Sequence, residues 1–209
     1  MEERLFKLRQ LLAQDLPGAN DQYKMAPFTR ERIIINEYTK INYKPSAVMI
    51  LICEDEHDNF FLPLIKRSTY KGVHSAQVSF PGGKLEPTDE SLMQTAMREC
   101  KEEIGINQLE VLGKLTPLAI PISRFLVEPF IGFCTEKNPV LQMQEREVQS
   151  IIKFPLMDLL NENLIKSGEI KIENNQFINT NWFSVGDHQV WGATAMILSE
   201  LKEIIKDAF

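Results

Sequence analysis

The sequence predicts an α/β fold in which a mixed sheet lies between helical layers. Three observations lead there. Apolar runs of strand length precede, surround and follow one amphipathic segment that ends near residue 104. A second amphipathic segment closes the chain over residues 192–206. The hydrophobic fraction of 44% over 209 residues is enough to bury one sizeable core without cross-links.

Residues 2–14 carry Leu5, Leu8, Leu11 and Leu12, a helical stripe that Leu16-Pro17-Gly18 ends. Residues 18–45 are mixed and polar, with Pro27 and Pro45 as punctuation, and read as an extended lead-in packed on the domain. The expected division is therefore 1–45 for the N-terminal helix and lead-in, and 46–209 for the domain proper. Ala47–Cys53 is a nearly continuous apolar run, as expected of a strand buried on both faces. Phe60–Ile65 reads as its hairpin partner, with Pro63 pointing to an edge or a bulge. Gln77–Phe80 is a short strand that leads into Pro81-Gly82-Gly83.

The central helix is expected to open at Pro87 or Thr88, with Thr88 as N-cap and Asp89 and Glu90 in the first turn, where the helix dipole favours acids. Leu92, Ala96, Cys100 and Ile104 form its buried stripe, and its glutamates lie opposite. Leu109–Leu118, Pro129–Thr135 and Val148–Phe154 read as further strands. Residues 155–164 read as a short helix with proline near its first position. Ile170–Ile172 and Gln176–Ile178 read as a small hairpin around Asn174-Asn175. Ala193, Ile197, Leu201 and Ile204 line one side of the last helix.

A net charge of −6 argues against a general binder of nucleic acid or of membrane surfaces. Cys53, Cys100 and Cys134 are odd in number and form no C-x-x-C pair, so they read as reduced, buried thiols of a cytoplasmic protein. His57, His74 and His188 form no spaced cluster of the kind zinc requires. The N-terminus is charged throughout and lacks an apolar signal core, and no apolar run approaches the ~20 residues needed to cross a bilayer.

Glu99, Glu102 and Glu103 are the chemically telling residues. Spacings of three and four place their carboxylates on one helix face, about one turn apart. Like charges so arranged repel, and carboxylate oxygens on a fixed face suit a hard divalent cation such as Mg²⁺. A solvated, charge-rich surface is the plain alternative. The neighbours speak for chemistry: Arg98 precedes the three acids, Gly105 stands where a helix ends in a left-handed residue, and Gly82-Gly83 permits close backbone approach to a ligand.

Arg98, Glu99, Cys100, Glu102, Glu103, Gly105 and Ile106 resemble the second half of the box of the Nudix hydrolases, Arg-Glu-apolar-any-Glu-Glu-any-Gly-apolar. The first half departs from the general pattern. Counted back from Arg98, the box acid falls on Glu90 and its glycine on Lys84; counted from Gly83, the acid falls on Asp89. The loop is one residue longer than usual, and Asp89 and Glu90 compete for one place. The resemblance implies a Nudix-type α/β/α sandwich with a mixed sheet and a loop–helix–loop catalytic box.

Upstream, Arg67, Ser68, His74, Gln77, Val78, Phe80, Pro81, Gly82 and Gly83 look like the signature of the coenzyme A pyrophosphatase branch, from which Gly72 and Ala76 depart. The stretches 120–125 and 190–195 look like its downstream landmarks. This resemblance implies metal-assisted attack of water on a pyrophosphate of coenzyme A or a derivative, yielding 4′-phosphopantetheine and 3′,5′-ADP. Glu99, Glu102 and Glu103, with the Gly83 carbonyl, would hold Mg²⁺ or Mn²⁺. Arg98 would fix a glutamate rotamer, and Glu147 is an outside candidate for the general base. Arg67, Ser68, His74, Lys84 and Arg124 are the candidate substrate contacts, arginine being suited to bidentate phosphate recognition. The expected partner is a coenzyme A-like nucleotide, not nucleic acid or membrane, and a homodimer is left open. Two rival readings stand beside this one: a Nudix enzyme acting on ADP-ribose or another nucleoside diphosphate derivative, and a regulator that keeps the scaffold without catalysis.

Overall fold

Residues 47–53 are buried on both faces, and the layers of the molecule follow from that. The computed structural model describes residues 2–68, 77–172 and 175–209. Helix α1 (Glu2–Leu12) and the short helices α2 (Ala19–Gln22) and α3 (Glu37–Asn42) come first. Strands β1 (Lys44–Glu54), β2 (Phe60–Arg67), β3 (Val78–Ser79) and β4 (Gly82–Lys84) lead to α4 (Leu92–Ile104). Then come β5 (Leu109–Lys114), β6 (Leu118–Ile120), β7 (Phe125–Cys134), β8 (Val148–Pro155), β9 (Ile165–Lys171), β10 (Phe177–Val185), β11 (His188–Val190) and the closing helix α5 (Gly192–Ala208).

Strand β1 is the hub. It runs parallel to β7 from Lys44↔Phe125 to Ile52↔Phe133, and antiparallel to β4 and to the start of β2. Successive side chains of a strand point to opposite faces. Ala47, Met49, Leu51 and Cys53 accordingly pack with Ala96, Cys100 and Ile104 of α4. Ile50 and Ile52 pack on the other side with Leu8 of α1 and Ala195, Leu198 and Leu201 of α5. The result is the expected sandwich: α4, mixed sheet, then α5 with α1. The three cysteines are free and buried. Among the described residues no helix is long and apolar enough to cross a membrane.

Pro63 finds a place without a ladder donor. It pairs with Lys153 of β8, while on its other edge β2 meets β1 only at Phe60–Phe61 and β3 only at Ile65–Lys66. Several expected boundaries are corrected. The lead-in is not extended throughout, since α2, a 3-10 turn over Tyr23–Met25 and α3 interrupt it; α3 is opened by Asn36, whose side chain accepts from the Thr39 N–H at 3.1 Å. The run 109–118 breaks into β5 and β6, which both pair with β7. Residues 155–164 form two 3-10 turns in place of one helix. The small hairpin extends to β9 and β10, with β11 as a third strand, because the alternating side chains of both arms continue the pairing to Phe183.

A buried carboxylate ties the lead-in to the domain. Glu200 of α5 is fully buried and accepts from the Gly18 N–H at 3.1 Å, Gln22 Nε2 at 2.8 Å, the Thr116 N–H at 3.2 Å and Thr116 Oγ1 at 2.6 Å. Removal of one partner from such a network leaves buried donors unmet. Glu200→Ala is therefore expected to lower stability by about 3–5 kcal/mol in urea denaturation. A loss under about 1 kcal/mol would mean that the lead-in is held chiefly by its apolar contacts.

Candidate active site

The loop before α4 makes the site, and its two glycines make the loop possible. A β-carbon on Gly82 would stand 2.4 Å from the Ala47 carbonyl oxygen, and one on Gly83 would stand 2.1 Å from Glu99 Oε1. Both distances lie inside any van der Waals contact: at Gly82 the obstacle is the β1 backbone, so only glycine lets β4 lie against β1, and at Gly83 a side chain would displace the Glu99 carboxylate. At the far end of α4, Gly105 takes φ 79° and its N–H bonds the Lys101 carbonyl at 3.0 Å, the expected left-handed stop.

The start of α4 differs from expectation. Ser91, not Thr88, is the N-cap, accepting from the Gln94 N–H at 3.2 Å. Residues 86–89 form a tight turn closed by the Asp89 N–H on the Glu86 carbonyl at 3.0 Å. Asp89 is thereby drawn out of the first helical turn and into the centre of the site. Its carboxylate takes Arg98 Nε and Nη2, each at 3.0 Å, and also Thr95 Oγ1 at 2.9 Å and the Glu86 N–H at 3.0 Å. This set of donors, Arg98 first, holds its pKa well below the usual carboxylate range. Glu90 is exposed and offers only its backbone N–H, to Gln94 Oε1 at 2.6 Å. Of the two acids that competed for one place, the structure brings Asp89 to Arg98.

Arg98 also reaches two of the three box glutamates, donating from Nη1 to Glu99 Oε1 at 3.0 Å and to Glu102 Oε2 at 3.1 Å, while Nη2 bonds the Lys84 carbonyl at 3.2 Å. Glu103 does not follow the expectation that the glutamates lie opposite the buried stripe. It is 1% exposed and accepts from the buried Gly82 N–H at 2.8 Å, with Arg67 Nη1 at 3.5 Å from its other oxygen. Burial pushes its carboxyl up to about 7 against the opposing pull of Arg67 and the Gly82 N–H, with Glu99 and Glu147 adding to the rise. Glu99 is also raised, by burial first and by Glu102 and Glu147 in addition, and Arg98 offsets part of this.

Glu147 thus stands in the field of Glu99 and Glu103. The loop before β8 carries it there by capping α4: the Gln142 N–H bonds the Ile104 carbonyl at 2.9 Å and the Gln144 N–H bonds the Glu103 carbonyl at 3.3 Å. The Glu147 carbonyl accepts from the Ser68 N–H at 2.8 Å, which binds the end of β2 to the same cluster. Lys84 is exposed, with Nζ 5.7 Å above the Phe125 ring. Arg124 lies further along that edge, in the turn between β6 and β7. His74 lies outside the described residues. The Gly82 N–H and Thr95 were not singled out from the sequence. A backbone donor carries no residue signature, and Thr95 is one polar position in a buried helical stripe.

The donor set of carboxylate and carbonyl oxygens fits a hard divalent cation, and the raised carboxyls of buried Glu103 and half-buried Glu99 are groups that such a charge would relieve. Among the described residues no three His, Cys, Asp or Glu side chains are gathered to hold an ion. Arg98 draws Glu99 and Glu102 to itself and the Gly82 N–H retains Glu103, so ion binding requires those side chains to turn.

The family model of the NUDIX domain matches residues 43–174 of the chain. The chain belongs to the Nudix hydrolase family. Relatives from Yersinia pestis and Yersinia pseudotuberculosis, each described as an uncharacterized Nudix hydrolase NudL, are 32% identical over 169 residues, 79% of this chain and 81% of theirs. Two solved structures share the fold. A MutT/nudix family protein from Enterococcus faecalis has a TM-score of 0.50 at 18% identity, covering 98% of this chain and 74% of its own. The M. smegmatis Nudix hydrolase RenU has a TM-score of 0.50 at 14% identity, covering 87% of this chain and 94% of its own. The expected Nudix sandwich and the expected enzyme class, a Nudix pyrophosphohydrolase, both stand.

The Asp89–Arg98 pair gives this Nudix hydrolase a defined acid sensitivity. A depressed folded pKa means that the contribution of Asp89 is complete above its unfolded value of about 3.9 and fades as pH falls through the folded one. Asp89→Asn is expected to cost about 2–4 kcal/mol at pH 7, a loss of the buried-pair kind. The difference from wild type, read from urea midpoints, should narrow below about pH 4. Glu90→Ala should be near neutral, and a larger loss there than at Asp89 would reverse the assignment.

Proposed function

We propose that this Nudix hydrolase cleaves the pyrophosphate of coenzyme A or its derivatives, giving 4′-phosphopantetheine (or its acyl form) and 3′,5′-ADP. The observation that carries the reading is where the coenzyme A-like signature lies. Arg67 stands at 3.5 Å from Glu103, and the Gly82 N–H holds that same carboxylate at 2.8 Å, so the two described ends of the signature both meet a box glutamate. Lys84 and Arg124 lie on the adjoining edge and provide cations for an anionic substrate in a chain of net charge −6.

Glu99, Glu102 and Glu103, with the Gly83 carbonyl, would hold Mg²⁺ or Mn²⁺, the kind of divalent metal Nudix hydrolases generally use. When bound, the metal supplies charge neutralisation at the phosphate oxygens and a lowered pKa for a bound water. The rest falls to the protein. Arg98, clamped by Asp89, holds Glu99 and Glu102 at the site, from which they would turn to the ion. Glu147 is the candidate that takes a proton from water as its oxygen bonds phosphorus; the bridging P–O bond breaks and the leaving phosphate retains the bridge oxygen. Arg67, Ser68, His74, Lys84 and Arg124 are the proposed contacts to substrate. The setting we infer is cytoplasmic, with a small nucleotide as partner. Hydrolysis of ADP-ribose or another nucleoside diphosphate derivative is the second reading, because Gly72 and Ala76 depart from the coenzyme A pattern.

Glu102→Gln and Glu103→Gln are each expected to cut Mg²⁺-dependent turnover of coenzyme A by at least about 100-fold, the scale for losing a group that supports developing charge. The fold should survive both, since the glutamine at 103 removes a costly buried charge. Near-wild-type activity in both variants would sink the metal assignment. Coenzyme A, acyl-coenzyme A and ADP-ribose, assayed side by side in ¹⁸O water with products read by mass spectrometry, decide between the two substrate readings. Exclusive turnover of ADP-ribose would favour the second.

A further inference from the structure

Beside Lys84 and Arg124, the strands and turn of β6 and β7 carry two residues with unmet buried polar atoms, Arg30 and Ser123, that have no part in the chemistry proposed at the box. Arg124 sits there in an uncommon backbone conformation, φ 52°, and its carbonyl accepts from the Lys44 N–H at 2.7 Å. A non-glycine residue at positive φ persists where its surroundings enforce it, and such positions cluster at ligand sites. Ser123, beside it, has a buried hydroxyl with no hydrogen-bond partner. Arg30 arrives from the lead-in, half-buried: Nη2 bonds the Ala119 carbonyl at 2.7 Å, the guanidinium lies 5.8 Å from the Tyr23 ring centre, and Nε is buried without a partner. Ala119 pairs with Leu126 in the same tight hairpin, so Arg30 is fixed to the strands that carry Arg124.

Lys84 closes the group from the catalytic side. Its Nζ is 5.7 Å over the ring of Phe125, and its carbonyl accepts from Arg98. Among the described residues none of Arg30, Lys44, Lys84 and Arg124 forms an ion pair, and Glu37, the acid on α3, is taken by Lys40 at 2.8 Å. In an acidic chain, unpaired cations on one edge, with two buried polar atoms unsatisfied among them, are a site for an anion of their own.

We propose that Arg30, Ser123 and Arg124, with Lys84 at the boundary to the catalytic box, form a subsite for a second phosphate of the substrate, a terminal phosphomonoester separate from the pyrophosphate. The inference rests on the coenzyme A reading, since that substrate carries a 3′-phosphate on its ribose. It assigns Arg30, in the lead-in outside the matched domain residues 43–174, to substrate selection.

The test is a pair of calorimetric titrations in chelator, with 3′,5′-ADP and 5′-AMP as probes. The wild-type protein is expected to bind the bisphosphate about 10- to 100-fold more tightly, the value of one or two charge-assisted hydrogen bonds. Arg124→Ala and Arg30→Gln are each expected to bring the ratio towards one, and Arg30→Lys to restore part of it. Equal affinities in wild type, no detectable binding of 3′,5′-ADP, or a ratio that survives in both variants would overturn the subsite. If Arg30→Gln fails to fold, the exposed Arg124 decides alone. Coenzyme A turnover by wild type is scored separately: selectivity for 3′,5′-ADP without coenzyme A cleavage would refute the substrate reading and leave the phosphate subsite standing.

Discussion

Arg98 holds three carboxylates at once, and the architecture of the site depends on that one guanidinium. Nε and Nη2 grip both oxygens of Asp89, while Nη1 reaches Glu99 and Glu102. Its planar fork is the only side-chain geometry that meets a carboxylate bidentately and still presents a donor elsewhere. A lysine would keep the charge and lose the division of labour. Asp89 anchors one edge of the fork to the loop, and the other edge then has a fixed direction towards the helix. The carboxylates of Glu99 and Glu102 are thereby oriented by a loop residue ten positions before the nearer of them. The pairing also offsets the repulsion among these three acids, two of which, Glu99 and Glu102, stand a turn apart on the helix.

Glu103 shows the cost of the arrangement. Burying a carboxylate without a full counter-charge is unfavourable, and the shift of its carboxyl to about 7 records that. One backbone N–H and a distant Arg67 offset only part of the burial. A sequence selected for stability alone would place an apolar residue there, packed with Cys100 and Ile104. Function is the economical explanation for an acid buried beside Cys100 and the glycine loop. The two ends of the box therefore differ in kind: Asp89–Arg98 is a satisfied pair that stabilises, and Glu103 is a buried acid whose charge is only partly compensated.

The layers and the acid cluster were legible because they rest on periodicity. The double-sided burial of Ala47–Cys53, the stripe Ala96–Cys100–Ile104 and the stripe of α5 follow from spacings of two and of three to four, which a sequence displays directly. Boundaries that depend on hydrogen bonds between distant residues were not legible. Thr88 has the chemistry of an N-cap, but Asp89 is worth more on Arg98 than in a first helical turn, so the helix starts three residues later at Ser91. The tie between Asp89 and Glu90 had the same origin: both are acids one residue apart, and only the closed turn at 86–89 decides which side chain faces inward. Glu103 was placed with the exposed acids because a helical wheel assigns it no partner, whereas β4 in fact delivers the Gly82 N–H to it.

The segment 1–45 belongs to this logic as much as the box does. Glu200 binds Gly18 and Gln22, and the hairpin of β6 and β7 binds Arg30, so the lead-in is fixed at both its start and its middle. A disordered extension would leave these donors to water, and a mere cover for α5 would need only apolar contacts such as Leu8 provides. The half-buried guanidinium of Arg30 is different. It loses hydration and gains one carbonyl and the Tyr23 side chain, while its Nε is buried without a partner among the described residues. An anion at the β6–β7 turn would complete its coordination and that of Ser123 together, and would explain why a basic residue is carried to that edge from outside the core of the fold. The same cations lie within one strand pair of Lys84, whose carbonyl is held by Arg98. Strand β4 connects the two regions: the Lys84 carbonyl is held by Arg98 next to α4, while the Lys84 side chain lies over Phe125, which packs with the α5 side of the sheet.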